Sequence, residues 1–133
     1  MMEMIEESVD KKALFDGYLL DLKRSDDAIY GVLLSSTDGH ELAVYSSVEF
    51  SASKMAAMTS SCLALSEKMA QESLQNHCEV VIIQNENGYI TLKRLGKKLV
   101  LSAMAKRSIN LGMLLSAVRS TADKFEGSMR QQS

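Results

Sequence analysis

The sequence predicts an α+β domain with one five-stranded antiparallel sheet and helices on both faces. Two turn signals support this prediction, the Asp-Gly pair at residues 38–39 and the glycine at position 96, because each lies between stretches of strand composition. A stretch without glycine or proline, residues 51–77, separates the two groups of strands and has helical composition. The predicted order of elements is therefore α-β-β-α-β-β-β-α.

The N-terminal part of the chain predicts a helix followed by a hairpin. Apolar side chains recur at spacings of three and four in residues 9–24, which is typical of an amphipathic helix. Strands are expected at Tyr30–Ser36 and Glu41–Ser46. The first strand is apolar on both faces, with Ile29 and Leu33 on one side, which indicates that it lies inside a sheet covered by protein on both faces.

The rest of the chain predicts a long helix, a strand meander and a last helix. Residues 51–77 are expected to form one helix of about seven turns with Ser51 or Ser53 as its N-cap. The runs "CEVVIIQ", "YITLKRL" and "KKLVLSAMA" are rich in strand-forming residues and predict three consecutive strands. Asn110 is expected to cap the final helix.

Length and composition indicate one soluble domain. The chain has 133 residues, of which 46% are hydrophobic and 24% charged, ordinary values for a globular protein. The predicted domain covers residues 8–126, with residues 1–7 and 127–133 as short flexible tails. No signal-peptide core and no run of about 18 apolar residues is present. We therefore expect a cytoplasmic protein without a membrane span.

Charge and residue spacing exclude several classes of function. The net charge of −2 and the pI near 5.7 disfavour nucleic-acid binding. The sequence has no phosphate-binding glycine loop, no G-x-S-x-G motif and no paired carboxylates with a clear task, so we expect no catalytic residue and no cofactor. Cys62 and Cys78 do not combine with His40 and His77 in a metal-ligand spacing, so we expect free thiols and no metal site.

Four stretches in this order resemble the roadblock/dynein-light-chain domain family, whose fold is profilin-like. They are "GVLLSSTDGHELAVYSS", the long Ser/Ala/Met-rich helix, "EVVIIQNENGYITLKRLGKKLVLSAMA" and "NLGMLLSAVR", which together cover nearly the whole predicted domain. The stretch "RSDDAIYGV" departs from typical bacterial members because it lacks a Pro-Gly pair before the first strand. The resemblance implies a non-enzymatic homodimer or scaffold subunit that binds Ras-like small GTPases, and some bacterial relatives stimulate GTP hydrolysis.

The middle helix has an apolar face of about 180°, wider than the stripe of a helix packed on one side. One of its two apolar stripes can lie on the sheet while the other meets a second molecule, or both can be buried in a monomer. The strand "EVVIIQ" carries no proline or lysine to protect an edge, which favours a two-fold dimer. The resemblance implies that the middle helices of the two copies lie antiparallel and that their third strands pair into one continuous sheet. The expected interface residues are Met55, Met58, Cys62, Leu65, Met69, Val80 and Ile82, and the second stripe contains Ala56, Leu63, Ala70 and Leu74.

The side of the middle helix away from this apolar face carries small side chains between two lysines. Such a strip lets another protein approach closely, and the resemblance makes the GTPase its expected partner. The basic residues around Gly96 indicate either a solvated hairpin tip or a positive patch that steers an acidic partner. A structural adaptor without a GTPase partner is the alternative function. The expected partner-binding residues are Lys54, Ala57, Ser60, Ser61, Ala64 and Lys68.

Overall fold

The structure, a computed structural model, describes the backbone of residues 2–130 and the side chains of residues 11–130. Its helices and strands follow the predicted order. The α+β prediction is therefore confirmed, including the hairpin at Asp38-Gly39. The elements are α1 (Met2–Arg24), β1 (Ile29–Ser36), β2 (Glu41–Ser46), α2 (Ala52–Glu72), β3 (Val81–Asn85), β4 (Gly88–Leu95), β5 (Leu99–Lys106) and α3 (Leu111–Arg130).

The five strands form one antiparallel sheet in the order β2-β1-β5-β4-β3. The β1–β5 ladder joins the first hairpin to the later meander, so the two halves of the chain meet at the centre of the sheet. Strand β3 pairs only with β4, and β2 pairs only with β1, among the residues described. Strand β3 is therefore an edge strand, as the sequence predicted.

Helices α1 and α3 cover one face of the sheet, and α2 covers the other. The main core lies under α1 and α3, where the fully buried Phe125 contacts the rings of Phe15 and Tyr18 at centroid distances of 4.8 and 5.2 Å. A smaller cluster lies under α2 and contains Leu63. Alternate residues of β5 point to the two faces, so Leu101 joins the main core while Val100 joins the cluster under α2.

The N-caps of α2 and α3 confirm the sequence prediction. The side-chain oxygen of Ser51 accepts a hydrogen bond from the backbone N–H of Lys54 at 3.3 Å. Asn110 Oδ1 accepts the backbone N–H of Met113 at 3.1 Å. Each side chain satisfies one of the backbone donors that the first turn of a helix leaves without a partner.

Helix α2 ends at Glu72, so the prediction that it continues to residue 77 is wrong. The chain reverses there because the N–H of Leu74 bonds to the carbonyl of Gln71 and that of Gln75 bonds to the carbonyl of Ala70, at 3.1 and 2.8 Å. This pattern is the Schellman motif. Leu74 has a positive φ of 63° and is 93% exposed, so it does not belong to the stripe that faces the sheet.

The faces of β1 also differ from the prediction. The register between β1 and β5 shifts between Ile29 and Gly31. Because such an irregularity breaks the alternation of side chains, Ile29 lies in the main core with Val32. Leu33 points to the α2 face, since it pairs with Ser102 across the sheet. Ile29 and Leu33 therefore do not share a face.

The terminal helices extend beyond the predicted domain limits of residues 8 and 126. Helix α1 begins at Met2 and α3 ends at Arg130, so helical backbone occupies parts of both segments that the sequence predicted as tails. Their flexibility stays a prediction.

Candidate protein interface on helix α2 and strand β3

The outward side of α2 carries an exposed apolar stripe. Its members Met58, Leu65 and Met69 are 59–63% exposed, while Met55 and Cys62 are half-buried at its border with the sheet. The opposite stripe lies on the sheet, with Ala56 and Leu63 at 0% and 5% exposure. The two stripes of the sequence prediction therefore separate into one that packs and one that is open. We call the open set, Met55, Met58, Cys62, Leu65 and Met69, the apolar stripe.

The apolar stripe continues onto the face of edge strand β3. Cys62 packs with Val81, Ile83 and Ile90 around the small core cluster under α2. The side chain of Ile82 is 40% exposed and points to the other face of the sheet, since it pairs with Thr91 while Val81 and Ile83 face α2. Of the two β3-region residues predicted for the interface, Val80 precedes the strand and Ile82 lies on the face opposite the stripe.

Another side of α2 forms the predicted strip of small side chains, which we call the small-residue strip. Ala57, Ser61 and Ala64 are exposed, with Lys54 and Lys68 at its border. Ser60, which was predicted to belong here, is half-buried, and its hydroxyl donates to the carbonyl oxygen of Thr37 at 2.5 Å. Ser60 therefore holds α2 to the first hairpin.

The β1–β2 turn and the β4–β5 turn meet beside the small-residue strip. The backbone N–H of Thr37 donates to the carbonyl oxygen of Lys98 at 2.9 Å. Gly39, with a φ of 97°, lies against α2, where an added Cβ would be 3.5 Å from the Cα of Ala57. A residue with a side chain is unfavourable at such a φ, so the glycine allows both the tight turn and the contact with the helix.

The basic residues near Gly96 separate into two groups in the structure. Lys93, Arg94, Lys97 and Lys98 lie at the β4–β5 turn, and we call them the basic tip. Lys106 and Arg107 lie at the far end of the eight-residue strand β5, about 25 Å away at about 3.3 Å per residue. Arg107 donates to the carbonyl of Asn85 at 3.1 Å and lies over the ring of Tyr89, so it is not an arginine on a free loop.

Glu67 connects the end of α2 to the segment that enters β3. Its Oε1 lies 2.6 Å from Nδ1 of His77, and its Oε2 accepts the backbone N–H of Cys78 at 2.9 Å. The hydrogen bond from His77, followed by that from Cys78, holds the pKa of Glu67 below its ordinary value, and the positive charge of Arg94 acts in the same direction. Both carboxylate oxygens thus fix the edge strand relative to the apolar stripe.

Sequence reasoning missed both polar ties of α2. Ser60 and Thr37 are 23 residues apart, and Glu67 and His77 are ten apart. Neither separation corresponds to a helical or strand period, so no local pattern could have indicated these pairs. The small residues of the strip were identifiable, but which serine faces the hairpin depends on how the helix crosses the sheet.

Two other features, a metal-ligand cluster and a membrane-spanning helix, are not found among the described residues. No cluster of three or more potential metal-ligating side chains occurs in the described part of the chain. No helix among residues 2–130 has the length and apolar character needed to cross a membrane. The described residues bring together apolar and small side chains on α2, apolar side chains on β3 and basic side chains at the β4–β5 turn.

Comparisons with known proteins identify the fold and the family. The sequence model of the Roadblock/LC7 domain matches residues 16–105. MglB of Myxococcus xanthus has a TM-score of 0.81 at 14% identity, covering 88% of this chain and 95% of that one. The gliding protein MglB of Thermus thermophilus has a TM-score of 0.80 at 13% identity, covering 87% and 88%. Acanthamoeba castellanii profilin IA has a TM-score of 0.61 at 12% identity, covering 84% and 96%. A search of curated proteins found no match.

The structural likenesses, at these low identities, show the fold alone, and they confirm its profilin-like character. The family match is independent of them and covers more than half of the chain. It extends from the middle of α1 to the end of β5 and so includes all five strands of the sheet and α2. The chain therefore belongs to the Roadblock/LC7 domain family.

Proposed function

We propose that this protein is a non-enzymatic, cytoplasmic homodimer that binds a small Ras-like GTPase and modulates its GTP hydrolysis. Membership of the Roadblock/LC7 family supports regulation of small GTPases as the general function. The observation that carries the proposal is the apolar stripe beside the unpaired edge of β3. Three large apolar side chains, Met58, Leu65 and Met69, are each about 60% exposed there. Monomeric proteins seldom expose large contiguous apolar patches, which usually mark interaction sites.

A two-fold dimer covers the apolar stripe and the strand edge together. In an isologous dimer the same patch of each copy faces its counterpart, so every residue of the apolar stripe is buried in both copies. Burying one such side chain fully contributes about 1.5–3 kcal/mol. Pairing of β3 with its copy supplies partners for backbone groups that the edge leaves open, and Val81–Asn85 contains neither charge nor proline to oppose this.

Leu65→Glu tests the dimer. The substitution places an unpaired carboxylate in the proposed apolar interface, which costs about 3 kcal/mol or more and weakens association more than 100-fold. Met113→Glu is the matched control, because Met113 is 64% exposed on α3, on the other face of the sheet. Light scattering should give about twice the 14.6 kDa chain mass for the wild type and the control, and a monomer for Leu65→Glu. A monomeric wild type at micromolar concentration would overturn the dimer.

We assign the GTPase contact to the small-residue strips of the two copies. The exposed Ala57, Ser61 and Ala64 leave a smooth surface that another backbone can approach, and the bordering lysines supply charge pairs worth at most about 1 kcal/mol each. Ser61→Arg should block this approach sterically while leaving the dimer and its melting temperature nearly unchanged. Ser116→Arg, at an exposed position of α3 on the opposite face, is the control.

The binding test uses a Ras-like GTPase from the same genome, recognised by its G-x-x-x-x-G-K-[ST] loop. Binding and GTP turnover are measured with the wild type and both arginine variants, in the GDP-bound and GTP-bound states. Loss of binding with Ser61→Arg but not with Ser116→Arg supports the proposed surface. Normal binding by Ser61→Arg refutes the surface, and a wild-type dimer that binds no such GTPase favours the structural adaptor instead.

A further inference from the structure

The basic tip concentrates positive charge on a chain whose net charge is −2. Gly96, with a φ of 61°, allows the chain to turn between Arg94 and Lys97. Among the described residues, no carboxylate lies within 4.0 Å of a charged nitrogen of any member of the basic tip. The tip therefore presents cations that the described residues do not engage at ion-pair distance.

The basic tip is held in a fixed position beside α2. Thr37 accepts a hydrogen bond from Ser60 of α2 at 2.5 Å through its carbonyl, while its own N–H donates to Lys98 at 2.9 Å. The hydroxyl of Thr37 also donates to the carbonyl of Lys97 at 3.4 Å. These bonds join the helix, the first hairpin and the β4–β5 turn at one end of the sheet. The backbone that carries Lys97 and Lys98 is thus held beside α2, next to the small-residue strip.

The acidic side chains nearby cancel only part of this charge, because fewer acidic than basic side chains gather at this end of the molecule. A cleft of about 990 Å³ lies between the basic tip, the α2–β3 connection and the end of α3, and Glu67, Glu79 and Glu126 line it. Both oxygens of Glu67 are already engaged by His77 and Cys78. The ammonium group of Lys93 donates to the backbone carbonyl of Glu79 at 3.2 Å, which leaves its charge in place.

We propose that the basic tip extends the partner-binding surface beyond the small-residue strip and receives an acidic patch of the bound protein. This inference rests on the proposed function, because the occupant is the same GTPase that contacts α2. Lysine and arginine side chains at the rim of an interface attract carboxylates over distances of a Debye length and accelerate encounter more than they prolong residence. The basic tip therefore favours a partner that carries an acidic surface of similar size.

The test compares association rates of charge-reversed variants at two salt concentrations. Lys97→Glu/Lys98→Glu cancels the net positive charge of the basic tip, and Arg119→Glu/Lys124→Glu makes the same change in net charge at exposed positions of α3 on the other face. The probe is the GTP-bound Ras-like GTPase of the same genome, with rates measured by stopped-flow fluorescence. We expect the tip variant to associate about tenfold more slowly at about 20 mM salt. The difference should be nearly abolished at about 0.5 M, where the Debye length falls to about 4 Å. The control variant should change little at either concentration.

Each other outcome overturns one defined claim. Equal slowing by both variants indicates a general effect of net charge and refutes the basic tip as a contact. Unchanged association of the tip variant, while Ser61→Arg no longer binds, refutes this inference and leaves the proposed function intact. Binding of the wild type to vesicles with one quarter phosphatidylserine, lost in the tip variant without any change in GTPase association, assigns the tip to a membrane instead. A wild type that binds no GTPase refutes the proposed function, and this inference with it.

Discussion

Replacing Leu74 by glycine should stabilise the protein. Leu74 is the residue after the cap of α2, at the position of the Schellman motif that glycine usually occupies. Its φ of 63° brings the Cβ of an L-residue close to the following carbonyl oxygen. Because the side chain is 93% exposed, it contributes almost no apolar burial that a glycine would lose. The substitution therefore removes a strained contact without removing a packed side chain.

The expected gain follows from two opposing terms. A left-handed conformation costs an L-residue about 1–2 kcal/mol, which glycine avoids. Glycine in turn loses about 0.4–1 kcal/mol more backbone entropy on folding. The net stabilisation is about 0.5–1 kcal/mol. With an unfolding entropy of about 2.1 cal/mol/K per residue, a chain of 133 residues should gain about 2–4 °C in melting temperature.

Differential scanning calorimetry at one fixed protein concentration measures this gain, since the melting temperature of the proposed dimer would depend on concentration. Leu74→Ala is the control, because alanine shortens the side chain but keeps the Cβ that causes the strain. The control should melt within about 1 °C of the wild type. Equal melting temperatures for Leu74→Gly and Leu74→Ala would refute backbone strain at this position.

Two further predictions concern the tie of α2 and the packing of glycines. Glu67→Gln should lower the melting temperature near neutral pH. The hydrogen bond from His77 lowers the pKa of Glu67 in the folded protein, so the ionised carboxylate stabilises the fold. This stabilisation is present above the ordinary carboxyl pKa and is lost as the pH falls through the lowered pKa. A melting difference that grows as the pH is lowered from about 5 to about 3 would contradict this sign. Gly88→Ala should destabilise by about 1–3 kcal/mol in chemical denaturation, because its Cβ would lie 2.3 Å from the carbonyl oxygen of Ala105. Gly17→Ala, in α1, should instead stabilise, because no described atom outside its own stretch of helix lies within 4 Å of the added Cβ. Destabilisation of both variants alike would argue against the clash.

The order of elements was predictable because the strongest signals in this chain are local. The Asp38-Gly39 pair marks a hairpin through backbone conformation alone, and the observed Glu41–Ser46 strand coincides with the predicted one. The C-terminal end of α2 was not predictable in the same way. Neither glycine nor proline follows Glu72 closely, and Leu74 carries no signal for a left-handed turn. Hydrogen bonds of the Schellman type, which composition does not report, end the helix.

The candidate site was predictable in its periodicity but not in its orientation. The helical repeat separated the exposed Met58, Leu65 and Met69 from the sheet-facing Ala56 and Leu63, because a step of about 100° per residue is a property of the helix itself. It failed for Leu74, which lies beyond the end of the helix. The roles of Ser60 and Ile82 depend on how α2 and β3 lie against neighbours far away in sequence. Arg107 illustrates the same limit: it follows the basic tip closely in sequence, yet a whole strand separates them in space.

The positions of the polar ties bear on how this surface binds. Helix α2 buries Ala56, Thr59 and Leu63 against the sheet, and Ser60 and Glu67 hold it to the first hairpin and to the entry of β3. Hydrogen bonds at these two points fix how α2 is rotated about its own axis. The apolar stripe and the small-residue strip therefore face different sides of the molecule. A preorganised surface loses less conformational entropy on association than one that must be ordered. The ties therefore favour rigid docking in the proposed dimer and in the proposed partner complex, on different sides of one helix.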